Sequence, residues 1–417
     1  MVHTAIGPLK AESIYLKRYA WPATGLAGKV SGNPQMIVVI PAFCEDHLPK
    51  ALTSLHRCTP PTLEVAVLII VNESENASLE IQQKNQACLL AIQQVIPTFQ
   101  QHVLHVKLPP KKAGVGLARK IGMDEAVRIF EDRQVDGIIV CYDADCHCDD
   151  NYLQAIEHFY QDPQNNLGLV HYEHELHGTN HEAILNYELY LRYYTNALRV
   201  CGYPYALQTL GSCITVRSSA YQKQGGMNTR KAGEDFYFIH KTIPLKGIGE
   251  INQTTIYPSD RVSDRVPFGT GHVIGKYLED EADDYSVYHP DIFEQLRPIN
   301  KDLKDLYITR IFDISEVSPC LRAFYLENNF EEALYQILDQ SGSYSNFLDR
   351  YYQWWDAFRV LKYVHFARDH FYASVPLHSA MQWLSLQLPE LLLAEKDQLA
   401  QLLRMREYDR ANTFYIR

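Results

Sequence analysis

Residues 137–150 read GIIVCYDADCHCDD, an apolar, β-branched run that passes without a break into acids. The run Gly137–Tyr142 has the length and composition of a buried strand rather than a helix. Asp143 and Asp145 follow it directly, and in extended chain residues i and i+2 project to the same side, so both carboxylates can converge on one ion. Hard oxygen donors at the carboxyl end of a strand suit Mg2+ or Mn2+. Ligands of open α/β sheets bind there too. A second reading of the same acids is a capped turn, with Asp149 and Asp150 leading a helix expected over Asn151–Tyr160. Cys146-His147-Cys148 has no second Cys or His pair following at zinc-finger spacing, and a zinc site is set aside.

Before this junction, strands are expected at Met36–Pro41, Leu63–Asn72 and His102–Lys107, and helices at His47–His56, Ser78–Val95 and Gly116–Phe130. Strands apolar on both faces, alternating with helices, predict an α/β fold: a mostly parallel sheet flanked by helices. After it come a strand at Leu167–Tyr172, a helix over Glu182–Val200, a strand at Ser212–Arg217 and a helix opening at Gly233. Asn252–Gly271, punctuated by Pro258, Pro267, Gly269 and Gly271, reads as an irregular loop. From about Ile292 the pattern is helical, including Phe330–Asp339, Phe347–His370 and Leu388–Tyr408. Trp354, Trp355 and Phe358 stand at helical spacing and are expected in a core rather than on a membrane. The predicted division is an N-terminal extension over 1–34, the sheet domain over 35–291 and an α-helical C-terminal region over 292–417.

The 417 residues are 46% hydrophobic and 21% charged, which excludes a disordered chain. Fifty acids against 39 bases give −11, a balance that argues against nucleic acid as a partner. The longest aliphatic run, Val65–Val71, is far short of the roughly 20 residues of a membrane-spanning helix. The N-terminus lacks the pattern of a secretory signal. Nine cysteines without a regular framework suit reduced thiols. The sequons at Asn72, Asn76 and Asn252 are then chance matches, and the chain is expected to be cytoplasmic.

Five dispersed segments, VVIPAFCED (Val38–Asp46), VLIIVNESENA (Val67–Ala77), GVGLARKIGMDEAV (Gly114–Val127), VCYDADC (Val140–Cys146) and GEDF (Gly233–Phe236), together resemble glycosyltransferase family 2, whose sheet fold is called GT-A. The resemblance covers roughly residues 35–275. It implies that Pro41, Ala42 and Glu45 border the nucleotide, and that Asn72 and Glu73 stand where the family commonly places an Asp against the base. Gly114 and Arg119 would approach the diphosphate-sugar, with Lys112 as an alternative cation. Asp143 would contact the nucleotide-sugar and, with Asp145, hold the metal; a late His272 would be the third ligand, and Arg261 or Arg265 a diphosphate clamp. In the E-D pair, Asp235 resembles the general base and Glu234 its support, while Gly211-Ser212 and Gly225-Gly226 could floor the acceptor site. A helix cap is the alternative for the pair. The Gly114-x-Gly116 spacing does not make a dinucleotide fingerprint, because Lys120 and Ile121 stand where its third glycine is needed.

The resemblance implies metal-dependent transfer of a sugar from a nucleoside diphosphate to a hydroxyl acceptor, with inversion. A retaining transferase, a sugar-nucleotide pyrophosphorylase and a non-catalytic nucleotide-sugar-binding protein are the alternatives. A glycan, a lipid-linked sugar or a small molecule all remain open as acceptor. Self-association and a peripheral position on a membrane are open for the helical region.

Overall fold

The computed structural model describes residues 13–177, 180–230, 233–261, 285–391 and 397–417. Two compact units divide the chain: Met1–Tyr172 with Thr209–Ser259 and Arg417, and Glu173–Gln208 with Asp260–Ile416. Both are discontinuous, unlike the contiguous division expected at residue 292. The reason is the helix over His181–Val200, whose Leu189, Tyr193 and Ala197 are buried in one core with the C-terminal helices.

In chain order the strands of the first unit are β1 (Met36–Ala42), β2 (Val65–Ser74), β3 (Gln100–Leu108), β4 (Ile138–Cys141), β5 (His147–Cys148), β6 (Leu167–Tyr172), β7 (Ile214–Arg217) and β8 (Ile248–Tyr257). Helices α1 (Ile14–Arg18), α2 (Leu48–Arg57), α3 (Leu79–Ile92), α4 (Val115–Arg133) and α5 (Tyr152–Phe159) precede α6 (His181–Val200) of the second unit; α7 (Ser218–Lys223) and α8 (Glu234–Thr242) return to the first. The sheet order runs β8-β6-β7-β4-β1-β2-β3, with β5 beside β8. β1 is parallel to β2 and β4, β2 to β3, and β6 to β8; β7 is antiparallel to both neighbours, and β5 to β8. The mostly parallel α/β architecture is therefore as expected.

Every residue of β1 is buried, as a strand covered by helices on both faces requires. From β1 the chain moves outward through β2 and β3, then returns to the other side of β1 as β4. That reversal opens a crevice at the carboxyl ends of β1 and β4. Tyr142 N–H donates to the Val39 carbonyl at 3.1 Å, so the acids after β4 emerge at this crevice.

α4 is buried along most of its length, including the charged Arg119, Lys120, Asp124 and Glu125. Such groups need partners. Asp124 accepts from Tyr15 Oη (2.5 Å), Trp21 N (2.7 Å) and Tyr221 Oη (2.9 Å), and Glu125 from Thr24 N (3.1 Å) and Ala27 N (3.0 Å). The segment before β1 is thus bound along α4 by two adjacent carboxylates.

Three elements differ from expectation; in one, the helix expected over Leu388–Tyr408, a 3-10 turn covers Pro389–Leu391 and the α-helix is Gln398–Ala411. Asn252–Tyr257, expected in the irregular loop, belongs to β8; its Thr254, Thr255 and Ile256 are β-branched and buried, which suits a strand. The rest of that loop from residue 262 lies outside the described residues. The helix expected over Phe347–His370 is two, Tyr344–Trp354 and Ala357–His370, because Asp356 caps the second by accepting from Arg359 N at 2.7 Å.

The second unit is built on an aromatic core that includes Phe324, Tyr325, Phe330 and Trp355. Trp355 is fully buried, Trp354 packs at the core margin, and Phe358 is exposed. Glu188 on α6 is buried and accepts from Arg192, from Arg406 on the helix Gln398–Ala411, and from the His174 backbone N–H. Among the described residues no helix is long and apolar enough to cross a membrane. None of the nine cysteines is in a disulfide.

Candidate active site

Gly233 opens the site. Its φ of +69° is left-handed, a conformation that favours glycine, and it starts α8 with Glu234 and Asp235 in the first turn. Carboxylates are stabilised there by the helix dipole. The two side chains nevertheless go different ways. Glu234 is buried and accepts from Arg119 Nη1, while Asp235 is partly exposed and turns back on itself, its Oδ1 accepting from Phe236 N at 2.7 Å.

Arg119, in the second turn of α4, is buried and donates with its other arm, Nη2, to Asp143 Oδ1 at 2.5 Å. Burial works against its charge, but the Asp143 and Glu234 carboxylates outweigh burial and raise its pKa. Glycines make room for this bridge. A Cβ on Gly211 would lie 2.8 Å from both terminal nitrogens of Arg119, and one on Gly116 would lie 2.1 Å from the Arg230 carbonyl oxygen and 3.2 Å from Glu234 Cγ. Asp235 stays outside the bridge. Burial, then the adjacent Glu234 carboxylate, push its carboxyl up to about 7, the range of a general base near neutrality.

The structure thus brings together Arg119, Asp143, Glu234 and Asp235 at the end of β4 and the starts of α4 and α8. Gly114 is the residue before α4, in extended conformation. Pro41 and Ala42 end β1 and are buried. Glu45 is also buried, its Oε1 accepting from His47 N at 3.2 Å. Asn72 donates from Nδ2 to the Ala42 carbonyl at 2.9 Å. Glu73 is buried against β3, with His105 Nε2 at 3.3 Å and Lys107 Nζ at 3.5 Å. Gly226, φ +71°, faces the Tyr15 ring and hydroxyl. Arg261 belongs to the second unit. Arg265 and His272 lie outside the described residues.

No protein-family model matches the chain. No curated protein matches it either. It is similar to solved structures of S. aureus TarS. Residues 1–349 of TarS in complex with UDP-GlcNAc align at a TM-score of 0.39 and 13% identity, over 90% of this chain and 91% of that one. The complex of the same fragment with UDP aligns at 0.37 and 14%, over 91% and 92%. Against a longer TarS structure the TM-score is 0.36 and the identity 15%, over 64% of this chain, which spans only 42% of that one. Likeness of this degree leaves fold and chemistry to the strand order and side chains described above.

Asp143 and Asp145 alternate with buried Ala144 and Cys146, so both carboxylates stand on the partly exposed side of their segment. Residues 144–145 form a turn, closed by the bond from Cys146 N–H to the Asp143 carbonyl at 3.1 Å, where extended chain was expected; carboxylate oxygens are the donor type that suits Mg2+ or Mn2+. Among the described residues no cluster of three or more His, Cys, Asp or Glu side chains could hold an ion. Sequence reasoning missed Gly211 as the surface under Arg119, and it missed Asn85, a buried side chain on α3 that joins the ends of β1 and β2. Gly116 was missed as a packing residue too; a glycine inside a helical pattern is the signal that could have found it.

Proposed function

We propose that the chain is a glycosyltransferase that moves a sugar from a nucleoside diphosphate to a hydroxyl acceptor with inversion. The observation that carries the reading is the division of labour in the E-D pair. Glu234 is neutralised by a buried Arg119, whereas Asp235 is partly exposed with its carboxyl pushed up to about 7. Asp235 accepts the proton of the acceptor hydroxyl as that oxygen attacks the anomeric carbon. The new C–O bond forms as the bond to the diphosphate breaks, and the electron pair leaves with the nucleoside diphosphate. A single displacement with one base inverts the centre.

Arg119 holds Asp143 and Glu234 at fixed spacing, so the acids need not reorganise during the step. Asp143 and Asp145 would hold Mg2+ or Mn2+, which supplies Lewis-acid stabilisation of the departing diphosphate. The crevice between β1 and β4 would take the nucleotide, as at other topological switch points.

Thermal-shift screening against UDP-, GDP- and dTDP-sugars with Mn2+, followed by product analysis, tests the reading. Stabilisation by one donor class and release of nucleoside diphosphate support it. Release of pyrophosphate instead, or no shift with any donor, contradicts it.

A further inference from the structure

α3 is anchored by few buried side chains, among them Asn85, Cys88 and Ile92, and Asn85 is fully buried. A buried amide is costly unless its polar atoms are bonded, and a leucine would pack that face without the cost. Asn85 uses both ends. Its Oδ1 accepts from Cys44 N at 2.9 Å, and its Nδ2 donates to the Asn72 carbonyl at 3.1 Å and to Glu73 Oε2 at 3.2 Å. One side chain therefore joins the loop after β1 to the end of β2. Asn72 adds a second link between the same strand ends through its own Nδ2 and the Ala42 carbonyl.

The loop has a conformation that needs holding. Cys44 has φ +47°, left-handed for a residue with a Cβ. Such conformations persist only where surrounding contacts over-determine them, and they concentrate at ligand clamps. The bond from Cys44 N to Asn85 is such a contact. Glu73 is fixed from the far side by His105 and Lys107 of β3, so the Asn85 donor meets a carboxylate that cannot swing away.

We infer that Asn85 is a positioning residue for the nucleoside of the donor: it holds residues 42–46 against the end of β2, so that these two segments form one preset wall of the crevice. The inference rests on the glycosyltransferase reading for the ligand. Asn85 itself, fully buried, acts only through the loop and through Asn72 and Glu73.

The test is calorimetric binding of UDP, GDP, dTDP and ADP to wild type, Asn85→Leu and Asn85→Asp, with inorganic pyrophosphate as a probe of the phosphate end. Asn85→Leu removes both bonding ends. Asn85→Asp keeps the shape and the acceptor for Cys44 N but replaces the donor with a carboxylate beside Glu73, and it serves if the leucine variant does not fold. The expected result is a roughly tenfold weaker affinity for the preferred nucleotide and a smaller spread across the four. Pyrophosphate affinity and kcat at saturating donor should change less than twofold. A purely structural Asn85 would lower Tm and leave the four affinities in their wild-type ratio, and that outcome overturns the inference. Wild type that binds none of the four overturns the glycosyltransferase reading and this inference with it.

Discussion

Arg119 and Glu234, 115 residues apart in sequence, meet as a buried ion pair at the start of α8. The pair divides two neighbouring acids into different jobs. Glu234 is locked in place, and Asp235, next to it, keeps a carboxyl that is hard to ionise.

Removing one partner of a buried pair leaves the other charge uncompensated, which typically costs about 3–5 kcal/mol. Arg119→Met should be destabilised on that scale in urea unfolding. Glu234→Gln should cost less, and the double variant less than the sum of the singles, because the neutral amide no longer needs the cation. Strict additivity would mean that the two side chains do not interact in solution.

Asp235 should lower stability at neutral pH. Its carboxyl pKa is raised from the ordinary 3.8 to about 7, so the folded state binds the proton more tightly than the unfolded state. The stabilisation from that proton is present in acid and is lost as pH rises towards 7. Asp235→Asn, neutral throughout, should match wild-type Tm near pH 4 and exceed it by a growing margin up to about pH 7. A difference in Tm that is flat with pH would show an unperturbed carboxyl.

Gly116 and Gly211 should respond differently to alanine. At Gly116 the new methyl meets the Arg230 carbonyl oxygen at 2.1 Å, and α4 must move away from Arg230 and Glu234. Overpacking of this kind costs about 1–3 kcal/mol. At Gly211 it meets the end of a side chain, so Gly211→Ala should displace the Arg119 guanidinium and reduce kcat more than stability. Parallel Tm and kcat measurements distinguish them, and equal effects in both variants would contradict the packing described.

In the second unit, Glu188 should be an acid-sensitive support. Burial alone would raise its carboxyl pKa, but Arg192, His174 and Arg406 hold it well below the ordinary 4.5. A depressed carboxylate contributes stability above its unfolded value that is lost only as pH falls through the folded one. Glu188→Gln should therefore be less stable than wild type at pH 7 and at pH 5, with the gap closing in stronger acid. A gap already closed at pH 5 would count against the cluster.

Much of the fold was legible because parallel strands buried on both faces leave continuous apolar runs: β6 was delimited to the residue, and β1 and β2 to within two residues at each end. β8 was not, because its Asn252, Gln253, Thr254 and Thr255 look like loop residues until burial shows which of them face inward. The break at Asp356 depends on one side-chain cap within a run that is otherwise periodic. At the site, Asp143 was read from its place after a strand and its spacing to Asp145, and Glu234 and Asp235 from the family resemblance. Arg119 was legible only as a cation: its role depends on being buried between acids from two distant segments, and nothing in its neighbours along the chain reports that.

The central claim, that Asp235 is the base of a sugar transfer at this crevice, is tested most directly by nucleoside diphosphate release from the donor that stabilises the protein. Wild type and Asp235→Asn are measured side by side with Mn2+ and acceptor, with donor affinity measured separately. Loss of a general base typically costs about 10²–10⁴ in rate. The predicted result is a kcat lower by that factor in Asp235→Asn, with donor affinity kept and an inverted anomeric centre in the wild-type product. Transfer by Asp235→Asn at the wild-type rate, or a product with retained configuration, would contradict the account.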